Sequence, residues 1–365
     1  MNVTKDRSQT NTNVKRVLIV EDSIAMQEVL KKIFAKDELI HVAGCVSNGL
    51  DAVNFVKKSK PDLVTMDVNM PVMNGLAATR RIMETSPVPI IIISDMMNPS
   101  DLNDTFKALE AGAVAIISKP FLSGSKNFED YSKDLCLKVK LYSEVQLVKR
   151  LPASRMAIKA AEETKDEITD AANDYLTNHP RIIGLGASTG GTTVIQIILS
   201  GLPKDFSIPI VAVQHMTPGF TSGLVDWLNE TSPVTVKIAE NGEIIRKGMC
   251  YMAPDNYHIK IDKNGMVHYS DEPQIFSLKP SISFLFRSLA ENFGPAAVGI
   301  LLTGMGRDGA DELKMMRDAG ALTIVQDKES SVVYGMPGEA VKLNAAAKIM
   351  DPAEIADFLL TLNRI

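Results

Sequence analysis

From Arg16 almost to the end of the chain, short apolar runs alternate with segments of helical periodicity, and that alternation admits few folds. A strand followed by a helix and another strand returns most readily as a parallel neighbour, so the pattern predicts an α/β protein with parallel sheets. The first series of runs is Arg16–Val20, His41–Val46, Asp62–Met66, Pro89–Ser94 and Ala113–Ser118. Each precedes a helix-like stretch, the last of them Phe128–Leu147. Five such units suit one three-layer domain. The alternation stops over Leu151–Pro180, where Ala, Glu, Asp and Lys dominate without apolar periodicity, as in a solvated linker. A second series begins at Arg181, with an irregular middle, Val234–Tyr269, and hairpin turns predicted at Asn241-Gly242 and Asn264-Gly265. The expected division is a disordered tail over 1–14, a doubly wound, five-stranded parallel domain over 15–149, a linker over 150–178, and an α/β domain with a mostly parallel sheet over 179–365.

Composition narrows the function classes. Hydrophobic residues make up 45% and charged residues 23%, a globular balance. No apolar run approaches the roughly 18–20 residues that span a bilayer, and Met1–Val14 is polar, unlike a secretory signal. Direct membrane insertion is not expected. Cys45, Cys136 and Cys250 are far apart and show no CxxC spacing, which favours a reducing cytoplasm and buried or inert thiols. A net charge of −5 supplies no electrostatic footprint for nucleic acid.

In a parallel sheet, chemistry collects at the carboxyl ends of strands. The apolar run Arg181–Leu185 leads into Gly186-Ala187-Ser188-Thr189-Gly190-Gly191, which sets a serine on a glycine-rich turn before a helix. Ile208–His215 ends on His215, and Ala297–Thr303 leads to Gly304-Met305-Gly306-Arg307-Asp308-Gly309. Ser188, His215 and Asp308 would then lie together, the constellation of a serine hydrolase. Two other readings of the glycine turn compete. A dinucleotide loop starting at Gly184 and Gly186 needs a third glycine where Thr189 stands, and a purely structural turn needs no chemistry at all. Gly186-x-Ser188-x-Gly190 fits a nucleophile elbow, but the chain order Ser, His, Asp is not that of α/β-hydrolases. The Gly304-Met305-Gly306 turn can aim main-chain donors at a developing oxyanion. Among the other histidines, His41 and His179 fall outside the site, His268 sits in a polar hairpin, and His258 is the competitor to His215, although a lone histidine is more often structural than catalytic. Met216 and Met305 flank the site.

In the first domain, Glu21-Asp22, Asp67, Ser94 and Lys119-Pro120 all end strands. Clustered carboxylates repel one another unless a hard cation such as Mg²⁺ joins them, and a neighbouring lysine and hydroxyl suit a phosphoryl group. One acid alone reads as a helix cap, but five positions in strand-end register do not.

The strings that carry these residues are Ile19–Ser23 (IVEDS), Met66–Gly75 (MDVNMPVMNG) and Ile117–Pro120 (ISKP), and the domain resembles a flavodoxin-like response-regulator receiver. The resemblance implies that Asp67 is phosphorylated, that Glu21, Asp22 and Asp67 hold Mg²⁺, that Ser94 is the switch hydroxyl, and that Lys119 contacts the phosphoryl group. Glu21 stands where Asp is more frequent, and Asp95 where a small residue is usual. The second series, with IGLGASTGGT, VAVQHMTPGF, YMAPDNYHIKI, KPSISFLFRSLA, GILLTGMGRDGA and VVYGMPGEA, resembles the catalytic domain of chemotaxis receptor methylesterases. That resemblance implies Ser188 as nucleophile, His215 as general base, Asp308 as the residue that orients it, and the backbone N–H of Met305 as oxyanion donor. Ser283 stands where the family usually has Asp, which bears on a helix start or a substrate contact. The implied function is a cytoplasmic, phosphorylation-activated hydrolase of glutamyl methyl esters on chemoreceptor cytoplasmic domains, with glutamine deamidation as related chemistry. A chemotaxis histidine kinase is the implied phosphodonor, and the hydrolase step itself needs no cofactor. A receiver-regulated esterase with another substrate, and a non-catalytic phosphate- or nucleotide-binding module, are the alternatives; charge and the continuing βα pattern disfavour a DNA-binding output.

Overall fold

The computed structural model describes residues 14–94, 99–120, 128–145, 180–276 and 278–363. The tail expected over 1–14 (except Val14), the linker over 150–178, Asp95 and His179 lie outside the described residues. The chain divides into two compact units.

The first series of elements runs β1 (Lys15–Val20), α1 (Ile24–Phe34), β2 (Ile40–Val46), α2 (Gly49–Ser59), β3 (Leu63–Met66), α3 (Gly75–Thr85), β4 (Ile90–Ser94), α4 (Pro99–Glu110), β5 (Ala115–Ser118) and α5 (Phe128–Tyr142). The strands form a parallel sheet of order β2-β1-β3-β4-β5. Order reverses beside β1, so the loops after β1 and β3 open a crevice at the carboxyl edge. Ser23, Asn48 and Asn74 cap the first three helices by accepting from Met26, Asp51 and Ala77 N–H groups. Helix α5 stops at Tyr142, short of the expected Leu147. The N–H groups of Glu144 and Val145 turn back to Leu141 and Tyr142 and tighten the last turn.

The second series of elements runs β6 (Ile182–Ala187), α6 (Gly191–Ser200), β7 (Ile210–Gln214), α7 (Thr221–Thr231), β8 (Thr235–Ile238), β9 (Met249–Met252), β10 (His258–Ile261), β11 (Val267–Ser270), α8 (Ile282–Phe293), β12 (Ala297–Leu301), α9 (Ala310–Asp318), β13 (Leu322–Gln326), α10 (Met336–Lys342), β14 (Lys348–Met350) and α11 (Pro352–Leu362). Seven strands form one sheet of order β14-β13-β12-β6-β7-β9-β8, every pair parallel. β6 is central and buried along its whole length, which is why its sequence is apolar without alternation. The chain steps from β6 to β7 on one side and later returns to β12 on the other, so the reversal of order flanks β6.

Only one of the two expected hairpins forms. Asn264-Gly265 turns between the antiparallel β10 and β11, with Gly265 at φ +81°. Asn241-Gly242 lies between β8 and β9, which pair in parallel and so cannot be joined by a hairpin. The turn itself forms, with Gly242 at φ +84° and Glu243 N–H donating to Glu240 O at 3.2 Å, but the tertiary sheet decides that it does not close a hairpin. The glycines of β6 also have a role other than turning. A Cβ at Gly184 would lie 2.4 Å from Leu289 Cδ1, and one at Gly186 2.4 Å from Ile282 Cγ2. Their absence lets α8 lie directly on β6 and brings its first turn to the carboxyl edge of the sheet.

The three cysteines are free. Burial pushes the Cys250 thiol up to about 12 and Cys136 up to about 11, so both are inert, whereas Cys45 is only half-buried. Among the described residues, no helix is long and apolar enough to cross a membrane.

Candidate active site

Ser188 is the first residue after β6 and His215 the first after β7, and the last residues of those strands pair as Ala187 and Gln214. His215 N–H donates to Ala187 O at 2.9 Å, and Ser188 N–H donates to Thr303 O, just beyond β12, at 3.0 Å. Gln214 fastens the two positions together: its Nε2 donates to Ser188 O at 2.9 Å and to His215 O at 2.8 Å. The left-handed residue of the turn is Gly190 (φ +79°), which caps α6, while Ser188 is not at positive φ. The serine therefore lacks the backbone conformation of a hydrolase elbow, despite the matching string. Ser188 Oγ makes no hydrogen bond with His215 in this conformation; such bonds commonly tighten only with substrate in place.

His215 Nε2 lies 2.9 Å from Asp308 Oδ2, an ion-pair distance, although its N–H does not point along that line. Nδ1 has no partner among the described residues. Asp308 is 1% exposed, and its carboxylate sits at the amino end of α8. Oδ2 accepts from Ile282 N–H at 2.7 Å, and Oδ1 accepts from Ser281 Oγ at 2.7 Å, Ser283 Oγ at 2.7 Å and Ser283 N–H at 3.2 Å. A helix start leaves unsatisfied N–H groups and partial positive charge, and here a carboxylate from another element satisfies both. Burial alone raises the Asp308 carboxyl, but His215 and the Ser283 and Ser281 hydroxyls outweigh it and hold the group below its ordinary value. The three residues expected at strand ends thus converge, with the His–Asp contact formed and the Ser–His contact open.

The direction of the Met305 N–H, the expected oxyanion donor, follows from peptide planarity. Gly304 O accepts from Gly335 N–H at 3.1 Å and from Met336 N–H at 2.9 Å. In a trans peptide the C=O and the next N–H point in opposite directions, so pinning Gly304 O aims the Met305 N–H the other way. That N–H has no acceptor among the described residues, and the Thr189 N–H is likewise unpaired. Gly304 N–H, by contrast, is spent on Val333 O.

Several residues that organise this site were not anticipated. Thr303 Oγ1 donates to Thr189 O at 3.0 Å and accepts from Val333 N–H at 3.0 Å. Gln326 Oε1 accepts from Thr303 N–H at 2.8 Å. Gln214 and Gln326 each end a fully buried strand; a lone glutamine closing an apolar run was the available signal. His258 is structural, as expected: it is fully buried, stacks on Phe284 at 3.9 Å, accepts from Ser281 N–H at 3.1 Å and approaches Pro273 O at 3.2 Å. Burial lowers its pKa despite the Pro273 carbonyl, in keeping with a neutral ring. His268 is exposed and paired with Asp262.

In the first unit, the residues expected after β1, β3 and β5 also meet. Lys119 Nζ lies 3.0 Å from Asp67 Oδ2 and 3.1 Å from Glu21 Oε2, and Lys119 N–H donates to Ser94 O at 3.0 Å. Ser94 is buried at the end of β4. Oxygens of Glu21, Asp22 and Asp67 all lie within 4.8 Å of one another. Burial and Asp67 push Glu21 up to about 7 against the pull of Lys119, and burial likewise raises Asp67. Burial works to lower Lys119, but Asp67 and Glu21 more than compensate and raise it. One lysine thus leaves negative charge in excess, and an all-oxygen donor set with that excess fits a hard divalent cation such as Mg²⁺.

Comparison with known proteins gives matches over both units. Residues 17–126 match the response regulator receiver domain and residues 183–359 the CheB methylesterase. The chain is 45% identical to the protein-glutamate methylesterase/protein-glutamine glutaminase 1 of Syntrophus aciditrophicus, over 95% of this chain and 98% of that one. It is 44% identical, with the same coverage, to protein-glutamate methylesterase/protein-glutamine glutaminase 4 of Geobacter metallireducens. The crystal structure of the Thermotoga maritima CheB methylesterase catalytic domain aligns with 50% of this chain and 98% of its own at 36% identity and TM-score 0.49. With both domains matched in order and the full-length relatives covered almost end to end, the chain belongs to the CheB family of receiver-linked methylesterases.

Proposed function

We propose that this chain is a phosphorylation-activated protein-glutamate methylesterase and protein-glutamine glutaminase acting in chemotaxis. The observation that carries the reading is the meeting of Ser188, His215 and Asp308 at the carboxyl edge of the seven-stranded sheet, with His215 2.9 Å from Asp308. The relatives' names supply the substrate class, a protein glutamyl methyl ester or a protein glutamine, and the chemoreceptor cytoplasmic domain is the carrier this reading assigns to it. The receiver occupies 15–149 and the catalytic domain 179–365, joined by a linker over 150–178, and the protein works in the cytoplasm.

Serine is a weak nucleophile at neutral pH and needs a base. The His215 nitrogen that does not face Asp308 takes the Ser188 proton as Oγ bonds to the ester carbonyl carbon. Negative charge passes to the carbonyl oxygen, which the Met305 N–H stabilises, and Asp308 stabilises the imidazolium. Collapse breaks the C–O bond, and His215 returns the proton to the departing methoxide, releasing methanol. Water then attacks the acyl-serine by the same route and leaves a glutamate carboxylate. With a glutamine side chain the leaving group is ammonia.

In the receiver, Asp67 accepts a phosphoryl group from a chemotaxis histidine kinase, Lys119 contacts it and Ser94 is the switch hydroxyl. Glu21, Asp22 and Asp67 would hold Mg²⁺, which when bound would supply charge neutralisation for that transfer. Phosphorylation adds up to about two negative charges at Asp67, and a coupling of about 1–3 kcal/mol to the hydrolase changes its rate about 5–150-fold.

The test is methanol release from methylated chemoreceptor membranes with a small-molecule phosphodonor and Mg²⁺. Release should rise with phosphodonor, lose that rise in Asp67→Ala, and vanish in Ser188→Ala. Wild-type release in Ser188→Ala refutes the nucleophile. No release by wild type, while Ser188 still reacts with an active-serine probe, refutes the substrate class and favours another ester.

A further inference from the structure

Ser283, expected to affect a helix start or a substrate contact, is the second residue of α8, 1% exposed and turned toward Asp308. Its Oγ donates to Asp308 Oδ1 at 2.7 Å and accepts from Gly309 N–H at 3.0 Å. The hydroxyl therefore relays a main-chain donor onto the carboxylate oxygen that does not face His215. Ser281 Oγ donates to the same oxygen at 2.7 Å. Hydrogen bonds to an ionised acceptor are stronger than neutral ones, and burial strengthens them further.

The other ionisable groups near Asp308 are mostly neutralised within pairs. Arg307 pairs with Asp311 at 2.6 Å, Arg287 with Glu312 at 2.8 Å, and Lys279 with Asp271 at 2.5 Å. His258 reaches Asp308 only through the Ser281 N–H that it accepts. What balances the Asp308 charge is thus His215 on one oxygen and two hydroxyls on the other, together with the first N–H groups of α8.

We infer that Ser283 is a positioning residue of the hydrolase: its hydroxyl, with that of Ser281, draws charge onto Oδ1 and so sets how strongly the Asp308–His215 pair holds a proton. The inference rests on the triad reading above and assigns Ser283 a role within it. Removing a donor from Oδ1 makes the carboxylate more basic. The pair then keeps its proton to higher pH, and His215 becomes an available base later in a titration. An Asp at 283 would act in the same direction more strongly, because two carboxylates in contact cannot both ionise readily.

The experiment follows the rate at which an active-serine probe labels Ser188 as a function of pH in the full-length chain, with steady-state hydrolysis measured alongside. Ser283→Ala should move the acid limb of labelling up by about one pH unit and lower kcat about tenfold at the former limb, with KM little changed. Ser281→Ala, which leaves the Gly309 N–H satisfied, should move the limb the same way, Ser283→Thr should restore it, and Ser283→Asp should move it furthest. An acid limb at the wild-type pH in both alanine variants overturns the inference. So does a rate loss that is equal at every pH, which marks a merely structural role. Wild-type chain that is not labelled at Ser188 removes the triad itself, a failure distinct from an unmoved limb.

Discussion

Asp308→Asn keeps the shape of the side chain and removes its charge, and the structure says what each atom then meets. The carboxylate takes three donors on Oδ1 (Ser281 Oγ, Ser283 Oγ and Ser283 N–H) and two neighbours on Oδ2 (Ile282 N–H and His215 Nε2). The amide oxygen stays with the three donors, so Nδ2 turns to Ile282 and His215. Ile282 N–H is then left facing another donor, at a cost of about 1–3 kcal/mol, and the remaining bonds lose their ionic component. A total near 3 kcal/mol lowers the melting temperature of a domain of this size by roughly 6–12 °C. His215 must now accept from Nδ2 through Nε2, which moves its proton to Nδ1, the nitrogen needed as base. A wrong tautomer of this kind costs about 10⁴ in kcat. The folded Asp308 carboxyl lies below its ordinary value, so the stability it contributes is present above about pH 4 and is lost as pH falls through the folded value. The difference in melting temperature between wild type and Asp308→Asn should therefore shrink in acid. Thermal unfolding at pH 7 and in acid, paired with kcat, tests both parts. An Asn variant within tenfold of wild-type kcat would refute the tautomer argument, and an unchanged melting temperature at pH 7 would refute the assignment of Asp308 as the cap of α8.

Gly186→Ala places a Cβ 2.4 Å from Ile282 Cγ2, so α8 must shift; a stability loss of about 1–3 kcal/mol with a fall in kcat is expected, and a variant as stable and active as wild type contradicts the close packing. In the receiver, Glu21 is pushed up to about 7, so without metal the folded state gains from its proton at low pH and loses that gain as pH rises toward 7. Mg²⁺ should accordingly raise the receiver's melting temperature more at pH 8 than at pH 5.5, as read by differential scanning calorimetry, and an equal increment at both pH values argues against Glu21 as a ligand.

The order of apolar runs already contained the fold class, because parallel strands need helical crossovers and buried strands need unbroken apolar sequence. It also placed Glu21, Asp67, Lys119, Ser188 and His215 at strand ends, since a residue that closes an apolar run in a βα unit has little choice of edge. Local signals failed where the partner of a segment lay far away in the chain. Asn241-Gly242 carries turn chemistry but connects parallel strands, and Gly184 and Gly186, which read as a turn or a cofactor loop, are small because α8 presses on β6. Ser281 and Ser283 precede Asp308 by more than 20 residues, and no period or spacing links a helix start to a carboxylate on another loop. Direction is the other thing sequence does not carry. That the Met305 N–H is free and aimed depends on Gly335 and Met336 holding the far side of the same peptide. Sequence determined which residues reach the carboxyl edge of each sheet, because hydrophobic burial sets the strands. Only the tertiary structure decided which hydrogen bonds remain unspent there, because each is settled by a partner brought from elsewhere in the chain.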